Sequence, residues 1–184
     1  QIYRLLPLAD QECPIDWRPH ALAPVFYGLR DYGFTNGAPG PVRVFFPSLD
    51  GSPQSASILE ECGRYPLIVF VHGQCELDPE HYKKWFLLPA TLARAGFVVA
   101  VPEIPHGYPP SNDVGLDRIR RTVDWMHQCW PDQDLLLPPS ATGVAGHSWG
   151  AMLAARYVAD YDVAAYAAIS GSWTEFQDSL APIE

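Results

Sequence analysis

Val144-Ala145-Gly146-His147-Ser148-Trp149-Gly150-Ala151 is the stretch that decides the fold. A short apolar run enters a Gly-x-Ser-x-Gly pentapeptide, and an alanine-rich run leaves it. Thr142 to Ala145 reads as a strand and Ala151 to Tyr161 as a helix. A strand that turns into a helix within a few residues crowds its own backbone, so the flanking positions favour glycine. The residue at the apex is thrown outward. A serine hydroxyl is a weak nucleophile at neutral pH and needs such presentation as well as a base. The helix start adds backbone N–H groups and a positive dipole end where an oxyanion would develop. Ser148 is therefore the candidate nucleophile, and the N–H of Trp149 is one candidate oxyanion donor.

Upstream of this turn the chain alternates between buried strands and amphipathic helices. Pro66-Leu67-Ile68-Val69-Phe70-Val71 is a continuous apolar run, as expected of a strand covered on both faces. His72-Gly73-Gln74 follows it. A glycine there lets the backbone approach a substrate oxygen, and Gln74 can aim the second oxyanion N–H inward. His72 reads more simply as a histidine that hydrogen-bonds the loop than as a proton shuttle. It is also a candidate for the wall of the substrate pocket. From about Pro79 to Ala95 the pattern predicts a helix with Trp85, Leu88, Leu92 and Ala95 on one stripe, stopped by Gly96.

Phe97 to Val101 predicts a second buried strand, closed by Pro102. Asp113 to His127 predicts a helix with Leu116, Ile119, Val123 and Met126 inward. Val163 to Ser170 predicts a further strand, and Val42 to Phe46 an earlier one. Gln54 to Arg64 reads as a loop or short helix. Gln1 to about Gly40 reads as an irregular arm. The alternation predicts an α/β domain: a doubly wound, mostly parallel sheet with helices on both faces. In such sheets the chemistry lies beyond the carboxyl ends of the strands. His72-Gly73, Glu103 to His106, Ser148 and Ser170-Gly171 all fall there.

Composition narrows the function. The net charge of −9 and scattered basic residues argue against a nucleic-acid partner. No apolar run is long enough to cross a bilayer as a helix. Cys13, Cys62, Cys75 and Cys129 have no zinc-type spacing, and an even count permits disulfides without requiring them. Compartment is left open.

With these motifs in place the chain resembles the α/β-hydrolase superfamily. Pro66 to Gly73 resembles its oxyanion strand and loop, Ala95 to Pro102 its next strand, and Val144 to Ala151 its nucleophile elbow. Within the superfamily it is most similar to the esterase branch that includes dienelactone hydrolases, platelet-activating-factor acetylhydrolase-like enzymes and cutinase-like enzymes. The resemblance implies a serine hydrolase that cleaves a carboxylic ester, a small molecule, through an acyl-enzyme on Ser148. The oxyanion would rest on the N–H groups of Trp149 and Gln74. Water then releases the acid, and the resemblance implies no metal or organic cofactor.

The resemblance also implies a catalytic acid and a histidine after the serine, and no histidine follows Ser148. The expectation is that the 184 residues form one such domain and correspond to the N-terminal two-thirds of it. A completing partner chain is a second explanation. A non-catalytic or partner-completed binding module is the competing function. Among upstream histidines, His106 is the substitute base that the strand order favours. Glu103, Glu175 and Asp178 are candidate acids, each reading more simply as a solvated surface carboxylate or a helix-capping residue. Tyr108, Trp149, Trp173 and Phe176 are candidate walls of an apolar acyl pocket, together with His106 and the Pro-rich loop from Pro102 to Pro110.

Overall fold

The computed structural model describes residues 26–60, 63–73, 80–105 and 112–171. Six strands form one sheet: β1 (Phe26–Tyr32), β2 (Val42–Ser48), β3 (Leu67–Val71), β4 (Val98–Pro102), β5 (Gly143–His147) and β6 (Ala165–Ile169). Their order is β1-β2-β4-β3-β5-β6. β1 and β2 are antiparallel to their neighbours, and β4, β3, β5 and β6 run parallel. The helices are α1 (His81–Lys84), α2 (Leu87–Arg94), α3 (Asn112–Gln128) and α4 (Trp149–Asp160). The α/β class with a mostly parallel sheet is as expected.

Alternation along the strands sends side chains to two cores. Val44, Phe46, Leu67, Val69, Val71, Val98, Ala100 and Val144 face α3 and α4, where Ile119, Met126, Leu153 and Ala154 are buried. Phe45, Ile68, Phe70, Val99, Val101 and Ala145 face α1 and α2, where Tyr82, Ala90 and Ala93 are buried. β3 and β4 are buried at every residue, which is why they read as unbroken apolar runs.

The chain steps from β3 to β4 on one side, then crosses to β5 on the other. The order therefore reverses between β3 and β5. The segment leaving β3 packs on one face and the helix leaving β5 on the opposite face. A crevice opens at such a switch point, above the carboxyl ends of the two strands. Gly73 and Ser148 follow the carboxyl ends of these two strands.

Two expectations change. Part of the presumed N-terminal arm is β1, paired with β2 from Phe26↔Ser48 to Tyr32↔Val42. Gly28 and the charged Arg30 and Asp31 disguise it. An added Cβ at Gly28 would lie 2.1 Å from the Phe46 ring, so the glycine makes room for a core aromatic. Arg30 pairs with Asp132 at 3.2 Å and Asp31 with Arg43 at 2.7 Å. Second, the helix expected over Pro79–Ala95 is two helices that break at Trp85-Phe86. Pro89 explains the break, since a proline ring clashes with the carbonyl four residues earlier, here that of Trp85. Ala95, expected on the inward stripe, is exposed at the end of α2. Residues 54–60 form turns and loop, one of the two forms the sequence allowed there.

Candidate active site

The turn from β5 into α4 is as tight as the sequence requires. Ser148 has φ 53° and ψ −124°, a region that non-glycine residues enter only under strain. Two contacts explain the glycines on either side. A Cβ at Gly146 would lie 2.1 Å from the Gly150 carbonyl oxygen. A Cβ at Gly150 would lie 2.3 Å from the carbonyl oxygens of both Val71 and His72. The first turn of α4 thus sits directly on the end of β3.

Backbone bonds hold the apex. The Ser148 N–H donates to the Ile169 carbonyl at 2.9 Å, and the Ala151 N–H donates to the Ser148 carbonyl at 2.9 Å. A serine at a helix N-cap ordinarily turns its hydroxyl onto the helix N–H groups. Ser148 makes no such capping bond. Its side chain is partly exposed and uncommitted to the helix. Trp149 is the first residue of α4, where N–H groups lack intrahelical acceptors.

The loop after β3 lies against this apex. The register pairs Val71 with Gly146, which carries Gly73 alongside Ser148. A Cβ added at Gly73 would lie 3.4 Å from the Ser148 Cβ and 2.9 Å from the His147 Nδ1. His72 is fully buried. Its Nε2 accepts the Ile104 N–H at 3.1 Å, and its Nδ1 lies 2.7 Å from the Gly73 carbonyl. The first bond makes Nε2 the acceptor, so the ring is the Nδ1–H tautomer and donates to Gly73. The imidazole fastens the loop after β3 to the loop after β4. A buried ring with both nitrogens so engaged belongs to the framework and is not a pocket wall.

Beside it stands a cluster of rings. Trp85 Nε1 donates to His81 Nε2 at 3.0 Å. The Trp85 ring is 4.5 Å from that of His147 and 5.6 Å from that of Phe70. The His81 ring meets the His72 ring edge-on at 5.4 Å. The His147 Nδ1 is buried and, among the described residues, has no hydrogen-bond partner. On the other side of the crevice, Arg118 donates to the Glu103 carbonyl at 3.1 Å and packs against Gly40. Burial holds its guanidinium below the usual arginine range, with Glu103 opposing the shift.

The sequence-derived site residues divide in three. Ser148, Trp149 and His72 are brought together at the switch point. The Trp149 side chain, however, joins the core beneath α4, so its expected place in the pocket wall is corrected. An aromatic at the first position of a helix that lies flat on a sheet has an apolar layer to enter. Gln74, His106, Tyr108, Trp173, Glu175, Phe176 and Asp178 lie outside the described residues. Sequence reasoning missed Trp85 as a neighbour of the site and Ile169 as the anchor of the Ser148 amide. Pro89, four residues after Trp85, was the signal for the first.

Residues 47–165 match the family described as chlorophyllase. The chain belongs to the chlorophyllase family. Among solved structures it is similar in fold to a bacterial heroin esterase, at 17% identity and a TM-score of 0.54, covering 87% of this chain and 49% of that one. It is similar also to esterase B from Lactobacillus rhamnosis (12% identity, TM-score 0.52, 74% of this chain and 41% of that one). A dienelactone hydrolase from Anabaena variabilis matches at 15% identity and a TM-score of 0.51, over 83% of this chain and 68% of that one. The chain therefore has the α/β-hydrolase fold and spans less than half the length of the two esterases. No curated protein matches it. Among the described residues no helix is long and apolar enough to cross a membrane.

Proposed function

We propose that this chain is a serine hydrolase that cleaves carboxylic esters through an acyl-enzyme on Ser148, acting from a single α/β-hydrolase domain. The observation that carries the reading is the backbone at Ser148. A residue held at φ 53° with its hydroxyl withheld from capping is strain kept at one position. Such strain persists only where the surroundings over-determine it, and here two glycine contacts and the bond to Ile169 do so.

On this reading the Ser148 Oγ attacks the ester carbonyl carbon. The carbonyl π electrons move to oxygen, and the resulting oxyanion accepts hydrogen bonds from the N–H groups of Trp149 and Gln74. A general base, the role that the resemblance gives to a histidine, takes the Ser148 hydroxyl proton during the attack and passes it to the departing alkoxide, so that collapse of the tetrahedral intermediate expels the alcohol and leaves the acyl group on Ser148. Water repeats the attack and releases the acid. His72 serves this chemistry by holding Gly73, not by moving protons. The family's name makes chlorophyll one ester to assay beside simple carboxylic esters.

A fluorophosphonate mixed with the complete protein tests the proposal. Label on the peptide that carries Ser148, and turnover lowered about 10⁴-fold or more in Ser148→Ala, is the expected result. Ester turnover that survives Ser148→Ala, or no label where a control esterase is labelled, would overturn it. Saturable ester binding without turnover would favour a binding module in its place.

A further inference from the structure

We propose that Trp85 is a positioning residue for the nucleophile, clamping the ends of β3 and β5 against each other. The inference rests on the reading of Ser148 as the acylated serine. Trp85 does not touch Ser148. It reaches the site by two routes that converge on the same loop. The first runs through the His147 ring, 4.5 Å away, whose Nδ1 lies against Gly73. The second runs through His81, which accepts the indole N–H and meets His72 edge-on. His72 in turn donates to the Gly73 carbonyl.

The local sequence builds this clamp. His81 and Trp85 stand four apart, so one turn of α1 puts them on the same face. Pro89 ends that turn at Trp85, which frees the indole to lean on β3 and β5 while α2 sets off on its own axis. Phe70 backs the indole from within the sheet at 5.6 Å. Gly73 and Ser148 must hold their spacing if the serine oxygen and the oxyanion donors are to meet one carbonyl group. Effects of small misplacements on rate are steep.

The test resolves Ser148 phosphonylation of the complete protein into a saturation constant and a limiting rate. In Trp85→Ala the limiting rate should fall about tenfold while the saturation constant stays within about twofold. Trp85→Phe keeps a ring against His147 and loses the bond to His81. Its limiting rate should fall about threefold, between the two. Hydrogen exchange should quicken together at His72-Gly73 and at Gly146 to Ser148 in Trp85→Ala. An unchanged limiting rate in Trp85→Ala, with the wild type labelled, overturns the proposal. Should Trp85→Ala fail to fold, Trp85→Phe decides: a lower limiting rate at an unchanged melting temperature supports the clamp, and an unchanged rate overturns it. If the wild type itself takes no label, the reading of Ser148 has failed, and exchange decides on the clamp. Joint loosening of both strand ends upholds it, and loosening confined to α1 overturns it.

Discussion

Two adjacent parallel strands, β3 and β5, end side by side, yet the chain leaves them in opposite ways. After β5 the helix starts at once: His147 is the last strand residue and Trp149 the first of α4. After β3, which ends at Val71, the next helix among the described residues is α1, which begins at His81 and lasts one turn. The first junction is fixed by backbone packed on backbone, with glycines where no Cβ fits. The second is fixed by side chains, through His72, His81 and Trp85. Backbone packing admits almost no variation and can hold strain. Side-chain bracing adapts and can be weakened in steps.

The contrast breaks most sharply at Gly150. Gly150→Ala places a Cβ within 2.3 Å of two carbonyl oxygens of the β3 end. Neither partner is a flexible side chain, so the cost should be about 3 kcal/mol or more, read by urea denaturation. A cost below about 1 kcal/mol would mean that α4 lifts away readily and that the junction is not fixed by backbone.

His72→Ala probes the other junction. It strands the buried Ile104 N–H and removes the donor to Gly73. A loss of about 2 kcal/mol is expected, with His72→Gln recovering part of it. Equal losses in both variants would show that ring packing, not the two bonds, holds the loop.

Ser148→Gly sharpens the comparison from the opposite direction. Glycine adopts φ 53° without strain, so the variant should gain about 1 kcal/mol in folding stability after its greater unfolded-state entropy is counted. It should lose turnover at the same time. A destabilised Ser148→Gly would remove the claim that strain is held at this turn.

The smallest effect lies at the far end of β5. His127 Nε2 is 2.9 Å from the Thr142 hydroxyl, just before β5 begins. Burial holds the His127 pKa below its usual 6.5, and Asp124 opposes that only in part. The unfolded chain therefore takes up the proton first as pH falls. The neutral ring contributes stability above about pH 6.5, and this is lost as pH drops through 6.5 toward the lower folded value. His127→Gln should flatten the fall in melting temperature between pH 7 and 5.5 by about 1–2 °C. An identical pH slope in both proteins would refute the assignment.

How far the sequence disclosed these two junctions follows from what holds each. The elbow is legible because backbone packing demands glycine at Gly146 and Gly150, and glycine is visible in a sequence. β3, β4 and β5 are legible because strands covered on both faces must be apolar throughout. The bracing of the second junction is not legible, because His72, His81 and Trp85 stand apart in sequence and meet only when α1 folds over β3. β1 escaped for a related reason. Its glycine serves a Phe46 ring, and its charges are neutralised by Asp132 and Arg43 on other elements. The motifs reached the α/β-hydrolase superfamily and its esterase branch, with which the matching family and the similar solved structures agree.

The bond from the Ser148 amide to the Ile169 carbonyl has a mechanical meaning. β6 pairs with β5 from Ala165 to Ile169, and among the described residues no strand pairs with its outer edge. Its Ala167 and Ala168 are exposed. Ser148 is thus moored to the last rung of a ladder that, among the described residues, is paired on one side. Its stiffness is a property of the sheet margin as much as of the turn itself. Whatever lies along that margin sets how firmly the serine is held, from a full strand-width away.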